Sequence, residues 1–320
     1  IVVRAFRSIY LGVFFNAMVM ALVTLAAIKI GAVILGMTPL QTVLIVGTVT
    51  VLFTTLGGFL GVVITDLLLF VASMTGAVAT AWVAVNLPQV GGMSELLTHP
   101  AVVGRLAFFP DFSNWEVALT VFVIPLAVQW WSVWYPGSEP GGGGYVAQRM
   151  LAAKDEDNAL GAVLLFQVAH YALRPWPWIL VALASLIVFP DLEAIQQAFP
   201  DIDRGILRHD LAYPAMLTFL PAGLMGLVLA SLAAAYMSTM SSQLNWGSSY
   251  LVNDFYQRFV RPDAPERELV LVGRVSTILL MLIASTLALY LESAMQAFNI
   301  LLTIGAGTGL LFLLRWFWWR

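Results

Sequence analysis

The sequence contains no cysteine, and only 10% of its 320 residues are charged. The lack of cysteine excludes disulfide bonds, thiolate metal sites and catalysis by a thiol. Soluble domains carry roughly 25% charged residues, so this chain has too few of them to cover a water-soluble globule of its size. The net charge of −3 gives no electrostatic reason to expect nucleic acid as a partner.

Hydrophobic residues make up 60% of the chain, and the mean hydropathy is +0.89. These values exclude a disordered chain, which has low hydrophobicity and high net charge. The composition therefore predicts an integral membrane protein that is surrounded by the lipid bilayer. The chain begins with Ile1 rather than Met, and we expect it to be an internal piece of a longer protein.

Charges, prolines and glycine pairs divide the chain into eight apolar segments, each of which is predicted to be a membrane-spanning helix. A helix needs about 20 apolar residues to cross the bilayer. The glycine pair at residues 57–58 divides one charge-free stretch that is too long for a single crossing. The predicted spans are residues 8–28, 42–56, 59–85, 117–148, 159–189, 211–253, 268–290 and 293–314. Pro221 and Gly223 are predicted to break the sixth of them into a short piece and one long helix.

The positive charges predict how these spans are oriented. With a cytoplasmic N-terminus, ten of the 15 Lys and Arg residues lie inside, four lie outside and Arg174 lies in the membrane. Such an excess of positive charge is typical of cytoplasmic loops. We therefore expect residues 1–320 to form a single membrane domain with both ends in the cytoplasm. Its external loops are predicted at residues 86–116 and 190–212, and its cytoplasmic loops at residues 149–158 and 257–268.

Small and hydroxylated residues share one face of the sixth span. The spacing of Ala235, Ser238, Thr239 and Ser242 places all four on one side of a helix. Hydroxyl and carbonyl oxygens are hard donors that suit Na⁺, and the lack of a carboxylate among them disfavours Ca²⁺. A face of small residues is also typical of close packing between membrane helices. The spacing alone leaves both interpretations open.

Polar residues share a face of the fifth span, where Gln167, His170 and Arg174 follow one another at helical spacing. Because polar groups inside a membrane are costly, they are candidates for a functional role. One interpretation is a polar strip that faces the substrate, with Arg174 available to an anionic group. The other is a structural ion pair, or a contact with backbone carbonyls that Pro175 and Pro177 leave without donors.

The fourth span is predicted to be interrupted between Pro136 and Gly144. Proline lacks the backbone donor and glycine lowers helix stability, so this segment should unwind or terminate the helix. Broken helices are typical of the binding sites of transporters. Asn299, in the middle of the last span, either meets a substrate or hydrogen-bonds to another helix.

Four stretches of the chain resemble the sodium:solute symporter family. Residues 233–256 resemble the sodium-site helix of that family, and residues 57–66, 130–149 and 212–226 resemble other parts of it in the same order. The resemblance implies an all-α integral membrane fold of the LeuT type, a bundle of two inverted five-helix repeats. The matched stretches follow core helices three to ten, so the first two core helices are expected to be missing here.

The resemblance implies a sodium-coupled secondary active symporter, which imports a sugar, an amino acid or a carboxylate by alternating access. Na⁺ is then the coupling ion, and no other cofactor is expected. The expected location of this multi-pass protein is the plasma membrane, specifically the bacterial inner membrane. A transporter-like membrane sensor domain of a signalling protein is the alternative. The substrate and the oligomeric state are left open.

The resemblance also implies how sodium is bound. Ala235, Ser238 and Thr239 match the family's sodium ligands on this helix. Asp66 matches an aspartate on the sodium exit path, although an acidic residue near the start of a helix is also favoured by the helix dipole.

Three residues of the fourth span are candidates for contact with the substrate. Ser132 and Tyr135 match a polar residue and a gate tyrosine of the family's sugar transporters, and Trp134 lies beside them. Anchoring at the membrane interface is the alternative role of Trp134 and Tyr135. The substrate and gate candidates are together Ser132, Trp134, Tyr135, Gln167, His170, Arg174 and Asn299.

An enzyme is not expected. The sequence contains three histidines, His99, His170 and His209. They form no His-x-x-x-His motif, and the chain contains no Gly-x-Ser-x-Gly motif. The first and last of these histidines lie in predicted external loops, so they provide no constellation for catalysis within the membrane.

Overall fold

The computed structural model describes residues 2–56, 59–107, 109–129, 150–301 and 303, and these residues form helices and turns without any β-strand. This content confirms the all-α class. The chain divides into two compact units, of which the first comprises residues 1–93 and 177–297 and the second comprises residues 94–176 and 298–320.

The first unit begins with a long helix. Residues Val2–Ile9 are helical and lead into α1 (Tyr10–Leu35). Helix α1 continues beyond the predicted end of the first span, because a single lysine ends an apolar run without ending a helix. It ends at Gly36, which has a φ of 62°. This left-handed conformation is the one that glycine adopts most readily at the end of a helix.

Helix α2 (Pro39–Leu56) begins after a tight connection. Proline is favoured at the first helical position. The Thr38 hydroxyl accepts the Gln41 N–H at 3.3 Å, and the Gln41 side chain accepts the Thr38 N–H at 2.9 Å. This reciprocal pair is a capping box, which fixes where the helix starts. The local sequence thus determines the turn between α1 and α2.

Helix α3 (Phe59–Val85) has the same bounds as the third predicted span. Helix α4 (Glu156–Val188) crosses from the second unit into the first between Trp176 and Pro177. It becomes π-helical at Val168–Leu173 and bends at Arg174. The following Pro175 lacks an N–H and its ring would clash with the preceding turn, which accounts for the bend.

Helix α5 (Ala222–Val260) starts after Pro221 and is the longest helix that the structure describes. It is α-helical at Ala222–Ser249 and π-helical at Tyr250–Val260. Helix α6 (Glu266–Tyr290) follows, so the connection covers residues 261–265 and is shorter than the predicted loop at 257–268. The helix therefore continues through polar residues that the sequence pattern assigns to the loop.

The core of the first unit lies between α1, α5 and α6. Its buried side chains are Met20, Tyr236, Met240, Leu244, Leu280, Met281 and Ala284. Helix α3 also packs along α5, and an added Cβ at Gly76 would lie 3.0 Å from Val228 Cγ2. Helix α5 therefore packs against four other helices, α1, α2, α3 and α6.

Four helices among the described residues, α1, α4, α5 and α6, are long and apolar enough to cross a membrane. Shorter apolar helices occur at Pro39–Leu52, Phe70–Val85 and Trp115–Ala127. Together these helices overlap the first seven predicted spans, although residues 130–148 of the fourth lie outside the described residues. The eighth, at residues 293–314, is described only up to residue 303, and the predicted break at Pro136–Gly144 lies outside the described residues.

The predicted external loops contain short helices. Met93–Thr98 and Pro100–Val103 lie within residues 86–116, and Leu192–Ala198 lies within residues 190–212. Two of them begin at side-chain caps, where His99 Nδ1 accepts the Ala101 N–H at 3.2 Å and Asp191 accepts the Ala194 N–H at 2.8 Å. Such caps satisfy backbone donors at the start of a helix.

Candidate functional site

Ala235, Ser238 and Thr239 lie in the α-helical part of α5, together with Ser242. The helix is unbroken at these positions, so the four residues share one face as the spacing predicts. All four are half-buried. The Ala235 carbonyl lies within the continuous helix, so it can coordinate an ion only by a local widening of the helix or with its second lone pair.

The opposite side of α5 is its buried side. Met240 and Leu244 are fully buried there against α1 and α6. Two polar residues, Tyr236 and Ser241, lie at the edges of this apolar strip. The small-residue face is therefore distinct from the face with which α5 enters the core of the first unit.

Hydrogen bonds hold both edges of the buried strip. The Tyr236 hydroxyl lies 3.2 Å from the Thr24 hydroxyl of α1, and the Ser241 hydroxyl lies 2.8 Å from the Thr54 hydroxyl of α2. Because the two bonds lie on either side of the strip, they fix the rotation of α5 about its axis. They therefore also fix the direction in which the face with Ala235, Ser238 and Thr239 points.

Sequence reasoning did not find these four orienting residues. A hydroxyl in an apolar span is a signal that it needs a partner, because a polar group buried without a hydrogen bond is costly. Each has many possible partners on other spans, however, and the pairing follows only from the packed helices.

Asp66 lies on α3, the helix that packs along α5. Its side chain lies outside the described part of the structure, as do Ser132, Trp134 and Tyr135. Asn299 is exposed in the helical segment at residues 294–301, and its carbonyl accepts the Thr303 hydroxyl at 2.8 Å.

His170 and Arg174 are in contact in the second unit, as their shared helical face predicts. Arg174 Nη2 lies 3.1 Å from His170 Nε2. A guanidinium group has donors only, so Nε2 is the acceptor and the imidazole is neutral. The pair therefore carries one positive charge.

Aromatic rings fix the imidazole of His170. Phe166 stacks on it with 5.1 Å between ring centroids, and Tyr171 meets it edge-on at 4.8 Å. His170 and Tyr171 belong to the π-helical turn at Val168–Leu173, and such turns are frequent at functional sites. Gln167 is the residue before this turn and is half-buried. The residues on α5 and this cluster belong to different units.

Known proteins resemble this chain over most of its length. The model of the "Sodium:solute symporter family" matches residues 3–320. A sodium/glucose cotransporter of Vibrio parahaemolyticus is 27% identical over 300 residues, which are 89% of this chain and 54% of that protein. The sodium/myo-inositol cotransporter 2 of Rattus norvegicus is 32% identical over 258 residues, covering 74% of this chain and 37% of that protein.

A solved structure has the same fold. It is the substrate-bound outward-open state of a Na⁺-coupled sialic acid symporter, with a TM-score of 0.63 and 22% identity over 94% of this chain and 60% of that one. This likeness confirms the LeuT-type helical fold. The chain spans about half the length of the sodium/glucose cotransporter. It is a multi-pass membrane protein, and it belongs to the sodium:solute symporter family.

Proposed function

We propose that the complete protein is a Na⁺-coupled symporter, which imports a small polar solute by alternating access and does not change it chemically. The oriented face of α5 with Ala235, Ser238 and Thr239 is the observation that carries this proposal. Sodium entry supplies the free energy for uptake. The named relatives transport glucose, myo-inositol or sialic acid, which supports a sugar, a polyol or a carboxylated sugar as the solute.

The proposed sodium site consists of the Ala235 carbonyl and the hydroxyls of Ser238 and Thr239. Neutral hydroxyl and carbonyl oxygens hold a monovalent cation weakly enough to release it in each cycle. Asp66, on the helix that packs along α5, is proposed to draw Na⁺ toward the cytoplasm. No further cofactor is part of the proposal.

The proposed substrate and gate residues are Ser132, Trp134, Tyr135, Gln167, His170, Arg174 and Asn299. The pair of His170 and Arg174 carries one positive charge, which supports contact with an anionic or strongly hydroxylated part of the solute. A structural role for Arg174 beside the bend at Pro175 is the alternative. Loss of solute affinity without loss of folding in Arg174→Gln would favour the first of these roles.

Uptake by the full-length protein in proteoliposomes tests the proposed function. A panel of radiolabelled glucose, myo-inositol, sialic acid and proline is offered with an inward Na⁺ gradient, and again with K⁺ in place of Na⁺. We expect at least one solute to accumulate with Na⁺ and not with K⁺. Equal accumulation in the two salts would contradict coupling to sodium.

We propose that the protein lies in the plasma membrane, specifically the bacterial inner membrane, with both ends of the chain in the cytoplasm. Residues 1–320 contain no cysteine, so a single cysteine introduced here is a unique label once any cysteine elsewhere in the full-length protein is replaced. We expect a membrane-impermeant maleimide added to intact cells to label Asp201→Cys and not Asp155→Cys. In permeabilised cells the maleimide should label both variants, which controls for the reactivity of each introduced cysteine. Labelling of both variants in intact cells would refute this topology.

A further inference from the structure

A buried lysine joins three segments of the first unit. Lys29, near the end of α1, is only 3% exposed and forms an ion pair with Asp210. Its ammonium group also donates to the Glu292 carbonyl at 2.9 Å. A buried charge is tolerated only when it is paired and hydrogen-bonded. The two contacts connect α1 to the segment before the short helix Ala212–Leu217 and to the turn after α6.

Asp210 connects the lysine to the beginning of the last helix. Its second carboxylate oxygen accepts the Ala294 N–H at 2.9 Å, at the start of the helical segment 294–301. Ser293 caps the same helix by accepting the Gln296 N–H at 3.1 Å. A negative charge at this end of a helix is also favoured by the helix dipole. One carboxylate thus pairs with α1 and holds the end of another helix.

A second ion pair lies at the outer edge of this network. Arg208 Nη2 lies 2.9 Å from Glu292 Oε2, and these side chains are 38% and 60% exposed. The side chain of Asp210 is 26% exposed, which is less than either of these two and more than the buried Lys29. The network therefore passes from water to the protein interior, so a change in hydration at this end of the bundle reaches Asp210 before it reaches Lys29.

We propose that Lys29, Asp210 and the Ala294 N–H form a latch, which holds the start of the last helix to α1 when the external side of the transporter is closed. The attraction between two charges is strong in dry surroundings and falls as water raises the effective dielectric constant. Water entry from outside therefore weakens the latch, and closure strengthens it. This inference rests on the proposed transport function. Lys29 and Asp210 are positioning residues in it and do not touch the solute.

The double variant Lys29→Met/Asp210→Asn separates a latch from a purely structural pair. Lys29→Met alone leaves Asp210 without its cation, and Asp210→Ala alone leaves a buried lysine without an anion, so both single variants are expected to fold poorly. The double variant buries no charge, and the carbonyl oxygen of the introduced asparagine side chain can still accept the Ala294 N–H. It is therefore expected to fold.

We expect the maximal uptake rate of the folded double variant to be lower by about fivefold or more. A factor of about five is the lower end of the range by which coupled sites in proteins affect each other. The Na⁺ concentration for half-maximal uptake should stay the same or fall, because the externally open state gains population. Amide exchange of residues 291–297, followed by mass spectrometry, should be about threefold faster or more, because charge-assisted bonds are roughly twice as strong as neutral ones.

The matched control is Arg208→Gln/Glu292→Gln, which removes the exposed pair of the same network. Exposed pairs contribute little, so its uptake and exchange should equal those of the unaltered protein. A double variant Lys29→Met/Asp210→Asn with unaltered maximal uptake would overturn the latch, and so would unaltered exchange at residues 291–297. If the unaltered protein shows no Na⁺-dependent uptake, the proposed function fails, and the exchange measurement still decides whether Asp210 holds the last helix.

Discussion

Gly247→Ala is expected to prevent α1 and α5 from packing together. An added Cβ at this position would collide with the Asn16 side-chain amide and lie 2.6 Å from the Gly12 carbonyl oxygen. Gly12 is itself close to α5, because a Cβ there would lie 2.7 Å from Tyr250 Cβ. The nearest atoms are backbone or fixed side-chain atoms, so the helices must separate.

The expected cost is about 1–3 kcal/mol for the first methyl group, and more for a larger side chain. Separation would also break the bond that Asn16 donates to the Gln243 carbonyl at 2.8 Å. We expect the apparent melting temperature of the detergent-purified protein to fall by several degrees with Gly247→Ala. Gly247→Val should abolish recovery of folded protein, as measured by size-exclusion chromatography.

Gly226→Ala is the control in the same helix. Among the described residues, no atom outside the neighbouring backbone of its own helix lies within 4 Å of a Cβ added at Gly226. Alanine is favoured over glycine inside a helix by about 1 kcal/mol, so this variant should be equally or more stable. Equal melting temperatures for the two alanine variants would show that the close approach at Gly247 does not limit stability.

Ser238→Ala and Thr239→Ala are each expected to raise the Na⁺ concentration for half-maximal uptake by about tenfold or more. Each change removes one oxygen ligand from the proposed sodium site. We compare the contact of Na⁺ with one hydroxyl oxygen to a hydrogen bond with a charged group, which contributes about 1.5–3 kcal/mol. A change of about 1.4 kcal/mol corresponds to a factor of ten in the Na⁺ concentration. Because ligand and ion binding are linked, apparent solute affinity at fixed Na⁺ should fall as well.

The control for these two variants is Ser231→Ala on the same helix. Ser231 is buried and bonds to the Val228 carbonyl of its own helix at 2.8 Å, outside the proposed site. Its sodium dependence should be unaltered. If Ser238→Ala and Thr239→Ala behave like Ser231→Ala, then the small-residue face of α5 serves helix packing. Alanine is small enough for that role, so all three variants should be expressed normally.

Much of the fold could be predicted from the sequence, because a membrane imposes a simple rule on it. Every segment that crosses the bilayer must be apolar and must satisfy its own backbone groups, which selects helices. The predicted third span, for example, has the bounds of α3. The ends of α5 were harder to predict. The sequence pattern predicts that this span ends at Asn253, whereas the helix continues to Val260. The reason is that polar residues mark where an apolar segment ends and not where a helix ends.

The candidate site was predictable where its residues lie on one helix. The face of Ala235, Ser238 and Thr239, and the contact of His170 with Arg174, both follow from helical spacing alone. For residues outside the described part of the structure, such as Ser132 and Tyr135, the sequence remains the basis of the assignment.

The sequence by itself determined the membrane class, the helices and the residues that share a helical face, because these depend on neighbours within about one or two turns. Only the tertiary structure decided which distant residues meet. Lys29 and Asp210 are 181 positions apart, and Thr54 and Ser241 are 187 apart. In a chain with few charges, a buried lysine must find a partner, but its choice depends on which helix ends pack side by side. The rotation of α5 and the latch around Asp210 are therefore properties of the packed bundle.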